Sequence, residues 1–263
     1  MLLPEFLLYA CIGLLIATFG FGWKGFAIAS LLILSMVAPP LMGLKSKVVE
    51  GLPGGVRLPP THPEDFARLD TDALAQYTRD LEGLGFVVLN DFTMEGETGN
   101  ITPVFARLFH HPHLHCFAEV TQFFPLGSEP KPLRCSIISH LDRTWKIGTT
   151  DREPDAFVAL MRRPRKVGSC HPKTEPAELL KIHQERRQYL IEDLGLAVLH
   201  LSGAEYQATV PEDMDEIKVT LQRKGNFTFV FELVRFMLKP PVEWWGDYST
   251  LARSRRRSQQ NVT

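Results

Sequence analysis

The densest set of side chains that could bind a metal lies in one short run, His-His-Pro-His-Leu-His-Cys, which begins at His110. Alternate residues of an extended chain point to the same side, so His111, His113 and His115 could converge. His110 and Cys116 could instead meet across a turn. Imidazole and thiolate are typical zinc ligands, but the spacing matches no standard motif, and a proline-containing turn exposes histidines without any metal. The weaker of the two interpretations is a Zn²⁺ site at His111, His113, His115 and Cys116.

Nucleophilic catalysis would require a cysteine or serine with a histidine and a carboxylate close by. Cys170 and His171 are adjacent, but adjacency in sequence does not direct the imidazole at the thiol, and no nucleophile signature surrounds Cys170 or Cys116. The sequence contains none of the Gly-x-Ser-x-Gly, Walker, dinucleotide-binding or His-Glu-x-x-His motifs. No catalytic residue is therefore predicted, and a non-catalytic protein is favoured.

Two polar residues fall on the apolar face of a helix predicted from Ala177 to Leu194. At about 100° per residue, His183 and Arg187 lie inside the arc of leucines and isoleucines. Buried polar groups need partners, and the nearest candidates are the polar residues after the last predicted strand. The favoured interpretation is a network of His, Arg and carboxylate groups that holds the helix on the sheet. A ligand pocket, the alternative, would use His183, Arg187, Arg152, Asp151 and Glu153.

A basic run from Arg162 to Lys166 has the composition of a phosphate- or headgroup-binding patch, although most such runs are solvated loops. It has no aromatic neighbours that could stack on bases, and the net charge of −1 gives no general attraction to nucleic acid. Tryptophans near the C-terminus are of the type favoured in the headgroup layer. The predicted lipid-contacting residues are Arg162, Arg163, Arg165, Lys166, Trp244 and Trp245.

Two hydrophobic runs at the N-terminus determine the organisation of the chain. Phe6 to Gly22 and Phe26 to Leu44 are almost entirely apolar, and Lys24 separates them. At 1.5 Å per residue, each would form a helix of roughly 25 to 28 Å, close to the ~30 Å of a bilayer core. We predict a transmembrane helical hairpin over residues 1–44, with a single span preceded by an interfacial segment as the alternative.

Weaker features indicate on which side of the membrane the rest of the chain lies. Lys45 and Lys47 follow the second run, against Lys24 alone in the turn, as the positive-inside tendency expects for a cytoplasmic body. The three cysteines outside the hydrophobic runs are an odd number, which suits a reducing compartment. Three Asn-x-Thr tripeptides point the other way. We therefore predict an integral membrane protein whose soluble domain lies on the cytoplasmic side.

The remaining chain predicts an α+β body, in which an antiparallel β-meander is flanked by helices. A linker rich in Pro and Gly occupies residues 45–63, and the soluble domain occupies residues 64–223. A helix is predicted from Asp65 to Leu84 by the spacing of its apolar residues. Strand-forming runs then recur from Phe86 to Thr150 at the spacing of about five meander strands.

The last segment, residues 224–263, is predicted to contain an apolar run and a basic tail. Phe227 to Leu238 is nearly all apolar and too short to span a bilayer. It would be a buried helix, a strand, or an interfacial helix that lies on the membrane, where the basic tail from Arg253 could meet anionic lipid.

These patterns favour a membrane-anchored, non-catalytic accessory or interaction protein, such as a subunit of a larger membrane complex. Its predicted partners are the lipid bilayer and other membrane-protein subunits or further copies of itself, without nucleic acid. The alternative is a ligand- or metal-binding domain, or an enzyme, that uses the His110 to Cys116 cluster or the helix face of His183 and Arg187. No cofactor other than the weakly predicted zinc is implied.

Overall fold

The computed structural model describes residues 22–24, 27–30, 43–97, 102–156 and 160–253. The hairpin predicted over residues 1–44 falls almost entirely outside these residues, as does the basic tail beyond residue 253. Of the helices within the described ranges, none combines the length and the apolar character needed to cross a membrane.

A seven-stranded sheet, in which every strand pairs with the next along the chain, forms the centre of the body. All neighbouring pairs are antiparallel except β5 and β6, which are parallel. The predicted meander and the α+β class are confirmed by β1 to β5, whereas β6 and β7 were not predicted. The strands are β1 Val87–Phe92, β2 Val104–His111, β3 Cys116–Phe123, β4 Arg134–His140, β5 Lys146–Thr150, β6 Lys166–Cys170 and β7 Glu243–Trp244.

Four long helices flank the sheet after a 3₁₀ turn at Pro63–Asp65. The first is shorter than predicted, because Asp70 caps it by accepting from the Ala73 N–H. The second ends at Gly195, whose left-handed backbone (φ 60°) stops the helix as predicted. The third was not predicted. The helices are α1 Thr71–Gly83, α2 Pro176–Leu194, α3 Gly203–Arg223 and α4 Asn226–Leu238.

The sheet has two faces with different coverings. Along β4, Cys135, Ile137 and Ser139 are buried, and the residues between them are only partly buried. The buried set lies on what we call the inner face, which packs on α1 and α2 to form the main core. The opposite, outer face is covered less completely by α3 and by the segment before α1. Apolar residues of this second layer are Leu58, Ala106, Leu108, Phe117, Ile138 and Tyr206.

A third cluster forms where the chain enters the body. Residues 43–51 are helical, although the sequence predicted a linker from residue 45. Lys45 Nζ donates to the main-chain oxygens of Gln222 and Lys224, at 2.8 and 2.5 Å, and so caps the end of α3. The segment that follows the second hydrophobic run is therefore fixed beside α3 and α4. Its small core contains Leu44, Val48, Leu52, Ile217, Leu221 and Phe229.

Candidate functional site

His183 lies on the inner face, fully buried between α2 and the sheet. Its Nε2 is 2.8 Å from Ser139 Oγ, and its Nδ1 is 3.1 Å from Thr149 Oγ1. Burial, together with the charges of Arg187 and Arg186, lowers the pKa of His183 to about 3. The imidazole is therefore neutral at pH 7, with one nitrogen donating and the other accepting, and both ring nitrogens have partners.

Arg187 reaches from α2 to the turn between β2 and β3. Its Nη1 donates to the Leu114 main-chain oxygen at 2.6 Å and to Ser139 Oγ at 3.2 Å. These contacts tie α2 to the turn between β2 and β3 and to β4, and the Ser139 hydroxyl is shared with His183. The partners are hydroxyl and carbonyl groups rather than the carboxylates that the sequence led us to expect.

The carboxylate of Asp151 is used elsewhere on the inner face. It accepts from the Tyr77 hydroxyl at 2.5 Å and from the Cys135 N–H at 3.0 Å, so it holds α1 rather than α2. Burial raises the pKa of Asp151 despite these two hydrogen bonds. The guanidinium of Arg152 instead donates to the sulfur of Cys170. Of the five residues predicted to line a ligand pocket, Asp151 and Arg152 thus make contacts separate from those of His183 and Arg187.

The structure does not bring His111, His113 and His115 to one point. The ring centroids of His111 and His113 are 6.3 Å apart, whereas His115 stacks on His200 at 3.6 Å. Cys116 is fully buried in the main core, and burial raises the pKa of its thiol to about 12. Across the described ranges, no group of three or more His, Cys, Asp or Glu residues is placed to hold a metal ion.

The basic run is bound to α3 at two of its residues. Asp213 lies 3.1 Å from both Arg163 and Lys166, and 2.7 Å from Lys146 of β5. Burial alone would raise the pKa of Asp213, but Lys146 and Lys166 hold it well below its usual range. Arg165 is exposed and donates to the Arg143 main-chain oxygen at 3.1 Å. The Asp213 carboxylate therefore holds α3 against the parallel strands β5 and β6.

The tryptophans predicted to contact lipid are only partly exposed and pack on the body. Trp244 covers Gly168 of β6, and the guanidinium carbon of Arg162 lies 6.0 Å from its ring centre. Trp245 lies under Arg186, with 4.1 Å between the guanidinium carbon and the ring centre. Trp244 and Trp245 therefore close the edge of the sheet, and the six predicted headgroup residues do not form one surface.

A polar group on the outer face was missed in the sequence. Glu119 accepts from the Tyr206 hydroxyl at 2.9 Å, and burial raises the pKa of the Glu119 carboxyl. His140 lies edge-on to Tyr206, its buried Nε2 has no hydrogen-bond partner in the described structure, and burial lowers its pKa to about 3. The sequence does show the charge of Glu119 inside an otherwise apolar strand. Its partner, Tyr206, lies on α3, a helix that the sequence pattern did not predict.

An apolar stripe on the exposed side of α4 is the other feature without a structural explanation. Phe227, Phe231, Val234 and Leu238 recur at helical spacing, and they are exposed to 84, 58, 43 and 79 %. Phe229, on the other side of the helix, is fully buried. Isolated exposed apolar residues are ordinary, but a continuous stripe of them marks a contact surface.

No family model, curated protein or solved structure matches this chain.

Proposed function

We propose that this chain is a membrane-anchored, non-catalytic accessory or interaction protein whose body rests on the bilayer through α4. The observation that carries the proposal is the stripe of exposed apolar side chains at Phe227, Phe231, Val234 and Leu238. Burying a large apolar side chain contributes roughly 1.5 to 3 kcal/mol, so even partial insertion of this stripe would give several kcal/mol.

The position of α4 favours lipid as the occupant of this surface. The helical residues 43–51 begin at the end of the second hydrophobic run, Phe26 to Leu44, and share a core with α4 through Phe229. A chain that enters the bilayer before residue 43 would therefore leave it beside α4. The anchor and the stripe would then contact the same membrane surface.

The polar residues of α4 are arranged as in a helix that lies at an interface. Thr228, Glu232 and Arg235 form a narrow arc next to the apolar stripe. Glu232 Oε2 accepts from Lys224 Nζ at 2.6 Å, while Arg235 is exposed in the last turn, where it can reach headgroups. An apolar stripe bordered by polar side chains is what an interfacial helix requires.

Limited trypsin digestion of the full chain in phosphatidylcholine vesicles tests the proposal. Cleavage after Arg235 should be about tenfold slower in the wild type than in the Phe227→Ser, Phe231→Ser double variant, because the docked helix is shielded. Tyr189→Ser removes an exposed aromatic residue from α2 and is the matched control, which should be cleaved like the wild type.

Three outcomes would exclude the bilayer as the occupant of this surface. Equal cleavage of the wild type and the double variant in vesicles would show that α4 does not dock on lipid. Protection that rises with the protein density in the vesicle would identify a second copy of the chain, and protection confined to native membranes would identify another membrane protein.

A further inference from the structure

The centre of the outer face contains an open space that the sequence did not indicate. Ile138, Gly148 and Gly168 lie side by side on β4, β5 and β6. A Cβ added at Gly168 would lie 1.9 Å from the Trp244 ring, so this glycine is covered. A Cβ added at Gly148 would meet no atom within 4 Å. Trp244 thus forms one wall of a recess whose floor is Gly148.

Polar side chains line both ends of this recess. Residues two positions apart on a strand share a face, so Lys146 and Thr150 flank Gly148. The register places Lys146 between His140 and Lys166, and Thr150 between Ser136 and Cys170. We call the space bounded by these residues and Trp244 the outer recess.

Two arginines at the β6 side of the outer recess have donors that the protein does not use. The Nε atoms of Arg152 and Arg162 are both buried and have no hydrogen-bond partner in the described structure. Arg162 lies beside Trp244, and Arg152 donates to Cys170, so both guanidinium groups are next to β6. A buried donor without a partner is unfavourable. The two Nε–H groups need a hydrogen-bond acceptor. An oxyanion provides one, whereas a cation does not.

The charges around the outer recess are suited to a single anionic group. At the far end, Lys146, Lys166 and Arg163 share the carboxylate of Asp213, and Arg163 also pairs with Glu216 at 2.5 Å, so three positive groups face two carboxylates. At the near end, the charges of Asp155 and Glu153 act on the Cys170 thiol, and that of Glu232 acts on Arg162, so little positive charge is in surplus there. The recess therefore matches a compound with one oxyanion rather than a polyanion.

We infer that the outer recess binds a small molecule through one oxyanion group, a phosphate or a carboxylate, which Arg152 and Arg162 hold while the rest of the molecule lies over Gly148. This inference does not depend on the proposed membrane contact of α4. The recess would give the accessory protein a ligand to sense or carry, with no bond made or broken.

Isothermal titration calorimetry on the full chain in mild detergent tests the inference, with glycerol 3-phosphate and the monocarboxylate butyrate as two separate probes. The first variant is Gly148→Val, which fills the floor of the outer recess. Gly148 has no positive φ and has free space at its Cβ, and valine favours a strand. The variant should therefore keep or raise the melting temperature while binding weakens at least tenfold.

The second variant is Arg162→Gln, which removes the charge and the Nε donor, and it should also weaken binding about tenfold. Arg79→Gln, on the exposed side of α1, is the matched control and should bind like the wild type. Binding of either probe with both losses supports the inference and tells which oxyanion is preferred. Binding that both variants retain, or no binding of either probe at about 10 mM, overturns it.

Discussion

The helices α2 and α4 depart from the usual distribution of polar and apolar residues in opposite directions. On α2, His183 and Arg186 are buried while Tyr189 is exposed to 60 %. On α4, the exposed residues include Phe227 and Phe231. The polar groups of α2 find partners on the sheet, which are hydroxyls for His183 and the Glu243 carboxylate for Arg186, whereas the apolar stripe of α4 faces outward. The comparison separates a helix that holds the body together from one that presents a contact surface.

The largest expected effect concerns the buried side of α4. Phe229 is fully buried against α3 and the helical residues 43–51, so Phe229→Ala should lower the free energy of unfolding by about 3 to 5 kcal/mol. Urea titration of the full chain in mild detergent measures it. A loss below about 1 kcal/mol would mean that α4 does not dock on the body, and the two sides of α4 would no longer differ.

The next effect concerns the polar side of α2. His183→Ala would leave the hydroxyls of Ser139 and Thr149 without their buried partner and would open a cavity. We expect a loss of about 3 kcal/mol in the free energy of unfolding. Gln188→Ala, on the exposed side of the same helix, is the control and should stay within about 0.5 kcal/mol. An effect of His183→Ala as small as that of the control would contradict the network.

A pH dependence should follow from the same histidine. Its pKa is about 3 in the folded chain and about 6.5 when unfolded, so the unfolded chain binds more protons between these two values. Stability is therefore fully present above about pH 6.5 and falls as the pH drops towards 3, by up to about 1.4 kcal/mol per pH unit.

Between pH 7 and pH 5, this linkage should make the wild type lose about 2 kcal/mol more unfolding free energy than His183→Gln does. Urea titrations of both proteins at the two pH values provide the comparison. His140, with a similarly low pKa, remains in both proteins and cancels in the difference. Equal losses in the two proteins would show that His183 is not kept neutral by burial.

The smallest expected effect is at the exposed side of α4. Phe231→Ser should change the free energy of unfolding in mild detergent by no more than about 0.5 kcal/mol, because its side chain is mostly exposed. Urea titration beside Phe229→Ala gives the contrast. A loss comparable with that of Phe229→Ala would make the stripe part of the core instead of a contact surface.

Much of the sheet could be predicted because its signals are local. The strands β1 to β5 alternate in burial or are separated by turn residues, and α2 has an apolar arc and a glycine stop. The pairing of β6 with β5 depends on a chain segment that returns from elsewhere, and the two-residue strand at Glu243–Trp244 has no local signal. The start of α3 does have a local signal, the capping box of Ser202 and Glu205.

The polar sites could be predicted only in part. The helical wheel of α2 correctly places His183 at the core. Its hydroxyl partners could not be chosen from the sequence, because Ser139 and Thr149 meet there only through the register of β4 and β5. The outer recess arises in the same way, from the alignment of Gly148 with Gly168 and from the return of Trp244.

The contact of α4 with lipid can be measured most directly by photocrosslinking from a single position. The full chain, with p-benzoylphenylalanine in place of Phe231, is reconstituted in vesicles and irradiated, and a second sample carries it in place of Tyr189, an equally exposed residue of α2. We predict lipid adducts from position 231 and none above background from position 189. Equal yields at the two positions, or no lipid adduct at 231, would contradict the proposed membrane surface.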